Sequence, residues 1–224
     1  MDSRAIDSMT TAPLPQPTLG VLDEPTRRLV RLAAVIAVGD ELAVRGALTQ
    51  AVERTPKIWI EELILQSYLF CGLPRSLNAM REWRRLTGEP PAAHVDEGTP
   101  DERRRRGEAT CRLVYGEMYE RLRVNIRALH PELDEWMIVE GYGKVLSRPG
   151  LDLARRELCI VAACAASRQE RQLHSHLHGA RNVGVAPRAL SDAIDALDGA
   201  IDKKGLASAR MLCRRVQSQA NARD

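Results

Sequence analysis

The chain has 224 residues, 44% of them hydrophobic, which is enough for one sizeable core or two small fused units. Its 33 basic and 30 acidic side chains leave a formal net charge of only +3, so no nucleic-acid partner is expected, because that needs a concentrated basic stripe. No apolar run approaches the ~18 residues of a membrane span, so no membrane partner is expected either. A composition poor in aromatic residues (4%) and rich in Ala, Leu, Arg and Glu predicts an all-α fold.

The five cysteines indicate a reducing compartment. They are odd in number, widely spaced and mostly in apolar helical surroundings. This pattern is typical of reduced thiols that act as small hydrophobic side chains, not of a disulfide framework. The first residues show no basic segment followed by an apolar stretch, so no signal peptide is predicted. Together these features predict a cytoplasmic protein.

The N-terminal part of the chain divides into three segments. Residues 1–22 contain three prolines and no periodicity, which predicts a disordered tail. Residues 23–88 form a first helical unit. Its four helices are predicted to begin near Asp23, Asp40, Pro56 and Pro74. Residues 89–100, with three prolines and a glycine, are predicted to be a linker.

Residues 101–224 form a second unit, which is also helical. A long amphipathic helix is predicted from Asp101 or Glu102 to about Leu129. The next begins at Pro131 and is expected to end around Gly141 to Gly143. Further helices are predicted over residues 152–167, 169–183, 187–197 and 203–217, the first with Asp152 as its N-cap. Alternation with a period of two never persists, so no strand is expected.

The two units contain an internal repeat. The segment Arg28-Leu-Val-Arg-Leu-Ala-Ala aligns with Glu157-Leu-Cys-Ile-Val-Ala-Ala at an offset of 129, and Pro56 aligns with Pro187 at an offset of 131. Two diverged and fused copies of one helical unit explain this pattern. Because the first copy has Arg28 in the place of Glu157, a single active site per chain would belong to the second copy.

The region from Tyr142 to Ile194 carries the most informative motifs, Arg156-Glu-Leu and then Gln172-Leu-His-Ser-His-Leu-His-Gly-Ala-Arg-Asn-Val-Gly. It resembles the carboxymuconolactone decarboxylase family, whose superfamily also contains the thiol peroxidases of the alkylhydroperoxidase D type. The resemblance implies an all-α, alkylhydroperoxidase D-like helical fold, here built from two diverged units. An element that normally follows the family's histidine precedes it here, at Gly72-Leu-Pro-Arg-Ser-Leu-Asn-Ala. We therefore expect the first copy, or another subunit, to complete the pocket.

The resemblance identifies Glu157 and His176 as the catalytic pair. The related peroxidases carry two cysteines twelve and fifteen residues after the glutamate and a histidine nineteen after it. Here those cysteine positions are Gln169 and Gln172. The resemblance implies a cofactor-independent decarboxylation or proton transfer on a small lactone or carboxylic acid. We expect His176 to be the proton donor and Glu157 to orient it.

The expected partner is a small anionic molecule. Candidates for binding its carboxylate are Arg148, Arg155, Arg156 and Arg181, with Gln172 as a further substrate-binding residue. No cofactor and no metal are expected. The side chains of Glu170, His174 and His178 share a helix face, but spacing of this kind is weak evidence for a metal site.

Two alternative functions stay open. A peroxidase would need a thiolate of low pKa, and Cys159 and Cys164 lie in apolar surroundings that favour the neutral thiol. The second alternative is a degenerate, non-catalytic oligomeric binding protein. Short relatives form hexameric rings, so the resemblance implies a homo-oligomer, either a trimer of this double unit or a hexamer.

Overall fold

The computed structural model describes residues 19–94 and 98–221, and within them all regular secondary structure is helical. The predicted all-α fold is confirmed. The elements are α1 (Glu24–Val38), α2 (Glu41–Val52), α3 (Lys57–Cys71), α4 (Leu73–Thr87), α5 (Pro100–Tyr115), α6 (Tyr119–Leu129), α7 (Pro131–Trp136), a π-helix (Met137–Leu146), α8 (Leu153–Ala166), α9 (Glu170–Asn182), α10 (Pro187–Asp195) and α11 (Lys203–Asn221). In the same ranges, β pairing is confined to two isolated bridges.

Acidic N-caps determine where α1 and α8 begin. The side chain of Asp23 accepts a hydrogen bond from the backbone N–H of Thr26, and that of Asp152 accepts one from Arg155. The guanidinium of Arg155 donates to Asp23 (2.9 Å), to Asp152 (2.7 Å) and to Thr26 Oγ1 (2.8 Å). It therefore joins the starts of two helices that hold equivalent places in the predicted repeat, 129 residues apart.

Helix α8 lies at the centre of the core. Every residue of this helix except Arg155 is buried. Helices α1, α3, α9, α10 and α11 all pack against it. Buried side chains from both predicted units belong to one continuous hydrophobic cluster. The two predicted units therefore share one hydrophobic core. The boundaries between them stay a prediction.

The long helix predicted to run to Leu129 consists of two helices. Helix α5 ends at Tyr115, a 3₁₀ turn spans Gly116–Met118, and α6 follows. Gly116 has a φ of +53°, a left-handed conformation that glycine adopts without steric cost and that ends α5. The break allows α6 to pack against α7.

The helix that begins at Pro131 continues past the glycines where it was expected to end. It widens into the π-helix and reaches Leu146. A Cβ on Gly143 would lie 2.1 Å from the carbonyl oxygen of Arg103, and a Cβ on Gly107 would lie 2.1 Å from that of Ile138. Gly107 and Gly143 therefore permit close packing of α5 against the π-helix. Gly143 lies inside the π-helix and does not end it.

The described N-terminal end of the chain is ordered. The backbone N–H of Leu19 donates to the carbonyl of Gly184 at 2.9 Å, and Leu22 is buried. This corrects the predicted disorder for residues 19–22, whereas residues 1–18 lie outside the described residues. None of the helices in the described ranges is both long enough and apolar enough to cross a bilayer.

A buried ion cluster connects α3 to α8. Arg156 is fully buried, and its guanidinium donates to Glu62 at 2.8 Å and to Gln66 at 3.1 Å. Arg148 also donates to Glu62, at 3.1 Å. One carboxylate therefore compensates two guanidinium groups, one of which has no contact with solvent.

We expect Glu62→Gln to lower the free energy of unfolding by about 3–5 kcal/mol, because it leaves the buried Arg156 without its counter-ion. The matched control is Glu120→Gln, which removes an exposed partner of Arg112. This control should cost less than about 1 kcal/mol. Urea denaturation measures both values, and an equal effect of the two substitutions would contradict the assignment.

Candidate active site

The site is built around a hydrogen bond between α8 and α9. Glu157 lies on α8 with no exposed surface, and His176 lies on α9 with 6% of its surface exposed. The distance from Glu157 Oε2 to His176 Nδ1 is 2.8 Å. The spacing of nineteen residues places the two side chains on consecutive helices that pack against each other. The other carboxyl oxygen, Oε1, is buried and has no hydrogen-bond partner among the described residues.

The approach of α9 to the carboxyl group depends on Gly179. A Cβ at this position would lie 2.6 Å from Glu157 Oε2 and 2.7 Å from Val114 Cγ1, both far inside contact distance. Gly179 is one helical turn after His176, so both residues face α8. Gly179 therefore leaves the space in which the carboxyl group of Glu157 contacts the imidazole of His176.

His176 lies in the wall of a cavity of about 670 Å³. A volume of this size is typical of small-molecule sites. Of the eight aromatic residues in the chain (three Trp, four Tyr and one Phe), five line this cavity. The lining residues are Tyr68, Leu69, Phe70, Tyr115, Leu122, Ile126, Leu133, Trp136, Met137, Glu140, Gly141, Tyr142, Leu146, Arg171, Gln172, Ser175 and His176. Because Nδ1 of His176 faces Glu157, Nε2 is the ring nitrogen left for a ligand.

Two tyrosines near the imidazole pack edge-on against each other. The ring of Tyr115 is centred 6.4 Å from that of His176 and 6.2 Å from that of Tyr142. Burial raises the pKa of both hydroxyl groups, so both carry their proton at neutral pH. The hydroxyl group of Tyr115, in the cavity wall, can therefore donate a hydrogen bond to a ligand.

Residues of the first helical unit complete the cavity. Tyr68, Leu69 and Phe70, at the end of α3, belong to its wall. The ring of Phe70 meets that of His176 edge-on, with 5.6 Å between the centroids. The first copy of the repeat thus contributes directly to the site, one of the two arrangements expected from the sequence.

The comparison with known protein families agrees with this geometry. Residues 131–205 match the sequence model of the carboxymuconolactone decarboxylase family. The predicted resemblance is confirmed over that segment, about one third of the chain, which includes Glu157 and His176. The all-helical architecture is consistent with the expected alkylhydroperoxidase D-like fold. No curated protein matches the chain significantly.

Within the carboxymuconolactone decarboxylase-like segment, the arginines predicted to bind substrate do not reach the cavity. Arg148 and Arg156 are both bound to Glu62. Arg181 donates to the backbone carbonyl of Val216 at 3.4 Å. None of the three belongs to the cavity wall, and this position corrects their predicted role. Arg155 is likewise held by the two N-caps of α1 and α8.

The cavity instead receives Arg171, which the sequence reasoning missed, together with the predicted Gln172. The signal for Arg171 was present in the helical spacing. Arg171, Gln172, Ser175 and His176 lie at i, i+1, i+4 and i+5 of α9 and therefore share one face. Tyr115 and Tyr142 were also missed as site residues, although both lie in segments that resemble the family.

The residues of α9 that form the weak metal-site pattern make contacts with other side chains. The rings of His174 and His178 meet edge-on with 4.9 Å between their centroids. Glu170, which would be the third ligand, accepts a hydrogen bond from Ser208 at 2.6 Å. In the part of the chain that the structure describes, no group of three or more His, Cys, Asp or Glu side chains is placed to hold a metal ion.

The cysteine thiols of this chain are poorly suited to peroxide chemistry. All five cysteines are free, and four of them are buried. Burial raises the pKa of Cys164 to about 12 and moves that of Cys159 in the same direction. A neutral thiol is a poor nucleophile. The positions where a peroxidase would carry its two sulfurs hold Gln169 and Gln172.

We predict that the partly buried thiol of Cys71 reacts slowly at neutral pH, because burial raises its pKa to about 11. Its rate of alkylation by iodoacetamide should rise about tenfold per pH unit between pH 7 and 10, as the thiolate fraction rises. Peptide-resolved mass spectrometry measures this rate, with circular dichroism to confirm that the fold persists. A rate that levels off below pH 9 would show a reactive thiolate and would revive the peroxidase alternative.

Proposed function

We propose that this protein is a carboxymuconolactone decarboxylase-like enzyme that catalyses a cofactor-independent decarboxylation or proton transfer on a small lactone or carboxylic acid. The observation that carries the proposal is the 2.8 Å hydrogen bond between buried Glu157 and the imidazole of His176, which lies in the cavity wall. A buried carboxyl group with one unpaired oxygen costs stability, and such costs are typical of functional sites.

In this proposal His176 exchanges the proton and Glu157 orients it. The Nδ1–H of His176 donates to Glu157, so Nε2 carries or accepts the proton that moves. In a decarboxylation, the bond between the ring carbon and the carboxylate breaks and carbon dioxide leaves. The electron pair passes into the conjugated carbonyl group of the substrate. The imidazolium form of His176 then delivers its Nε2 proton to carbon, the carbonyl is restored, and the ring is left neutral with its remaining proton on Nδ1.

Tyr115 is suited to stabilise the negative charge that develops on the carbonyl oxygen. Its hydroxyl group stays protonated because burial raises its pKa, and in this proposal it accepts a hydrogen bond from the neighbouring Tyr142. A donor that is itself a hydrogen-bond acceptor is polarised and becomes a stronger donor. In a cavity with apolar walls, such a donor is worth more to the transition state than it would be in water. Gln172 and Arg171 are the proposed substrate-binding residues.

Exposed apolar side chains of α6 and α7 support the proposal of a homo-oligomer, either a trimer or a hexamer. Val124 and Leu129 of α6 are 64% and 73% exposed, and Trp136, at the end of α7, is 57% exposed. Contact with another subunit would remove this apolar surface from water. Light scattering distinguishes a monomer from either assembly. The five free cysteines support the further proposal of a cytoplasmic location.

We expect His176→Ala and Glu157→Gln each to reduce turnover of a lactone acid by about 10²–10⁴-fold, because general acid catalysis contributes a factor of that size. The matched control is His174→Ala, on the same helix but outside the cavity wall. The control should retain the activity of the wild-type protein, and circular dichroism should show that all three variants are folded. Unchanged turnover in both site variants would contradict the assignment, whereas an absence of turnover in the wild-type protein would favour a non-catalytic binding protein.

A further inference from the structure

The walls of the cavity are mostly apolar. The rings of Phe70, Tyr115 and Trp136 contribute to them, as do aliphatic side chains of α6 such as Leu122 and Ile126. A ligand gains binding free energy here by burying apolar surface and by packing a ring against other rings. A second carboxylate would be buried against these walls without a cationic partner, which costs free energy.

The charges in the wall fit a ligand with one negative charge. Among the described lining residues, Arg171 is the single cation, and no hydrogen bond or ion pair joins its guanidinium to another described residue. The carboxylate of Glu140, also in the wall, lies 3.6 Å from Lys144 Nζ. Because Glu140 has a counter-ion of its own, Arg171 is the group that can bind an acid.

Helix α9 indicates how far apart the two ends of the ligand lie. Arg171 and His176 are five positions apart on this helix, a rise of about 7.5 Å. The side chains of Gln172 and Ser175 lie between them and also line the cavity. A ligand that contacts both ends is longer than one small ring with a carboxylate attached directly to it.

From these features we infer that the substrate is a monocarboxylic acid with an apolar ring, and that it binds with its carboxylate at Arg171 and its ring against the aromatic wall. A compact dicarboxylate is a poor ligand for this cavity. The inference rests on the proposed function in its proton-transfer form, with the reacting carbon near His176, because a carboxylate held at Arg171 is not on that carbon and cannot be the group that leaves. Arg171 is then the residue that selects the acid, in place of Arg148, Arg156 and Arg181.

The inference is tested by isothermal titration calorimetry with three probes: 4-phenylbutyrate, its neutral amide, and the compact dicarboxylate glutarate. The wild-type protein should bind 4-phenylbutyrate at least about tenfold more tightly than glutarate. Arg171→Gln should weaken binding of 4-phenylbutyrate by about tenfold and leave binding of the amide unchanged. The matched control is Arg188→Gln, on an exposed residue of α10 outside the cavity wall, and it should leave both affinities unchanged.

Three results would overturn the inference: glutarate binding as tightly as 4-phenylbutyrate, equal losses in the two arginine variants, or turnover of a lactone acid by a protein that does not bind 4-phenylbutyrate. The last of these leaves the proposed catalytic function intact. Conversely, the expected binding pattern together with an absence of turnover for every ring-bearing acid supports this inference and contradicts the proposed catalytic function.

Discussion

The buried carboxyl group of Glu157 is the constraint on which the rest of this structure depends. It has no exposed surface, so neighbouring groups must compensate for its lost contact with water. His176 supplies one hydrogen bond, and Gly179 allows α9 to come near enough for it to form. The same contact that packs α9 against α8 therefore also orients the imidazole toward the cavity. Packing and chemistry cannot be changed independently at this point.

Two adjacent residues of helix α8 bind it to two different helices. Arg156 binds Glu62 of α3, while the adjacent Glu157 binds His176 of α9. Helix α3 also provides Phe70, whose ring contacts that of His176. The first helical unit, which does not contain Glu157 and His176, thus contributes both to the ion cluster that anchors α8 and to the cavity wall. This explains why the two units share one core and do not form separate domains.

Local signals were sufficient to predict much of the fold. Aspartate followed by helical periodicity located the start of α8, and a glutamate and a histidine nineteen residues apart proved to lie in contact across α8 and α9. The roles of the arginines could not be predicted in this way. Glu62 precedes Arg156 by 94 positions, and only the folded chain shows that the two are bound to each other. Without that knowledge, any arginine near the site resembles a carboxylate ligand.

Other features were hidden because they depend on contacts between distant segments. The glycines of the π-helix look like helix ends in the sequence, yet Gly143 is needed for close packing against α5. The pairing of Tyr115 with Tyr142 similarly joins α5 to the π-helix and has no local pattern. Such contacts determine which polar groups face the cavity, so the sequence predicts the contact between Glu157 and His176 better than it predicts the other polar groups of the cavity wall.

The central claim is that Glu157 holds the imidazole of His176 with Nδ1 protonated and Nε2 directed to the substrate. Nitrogen-15 NMR of the histidine side chains tests it most directly, with the His176 signals assigned by their absence in His176→Gln. The account predicts that the neutral ring of His176 carries its proton on Nδ1, because Glu157 Oε2 lies 2.8 Å away and accepts it. A neutral ring with its proton on Nε2 would contradict the account.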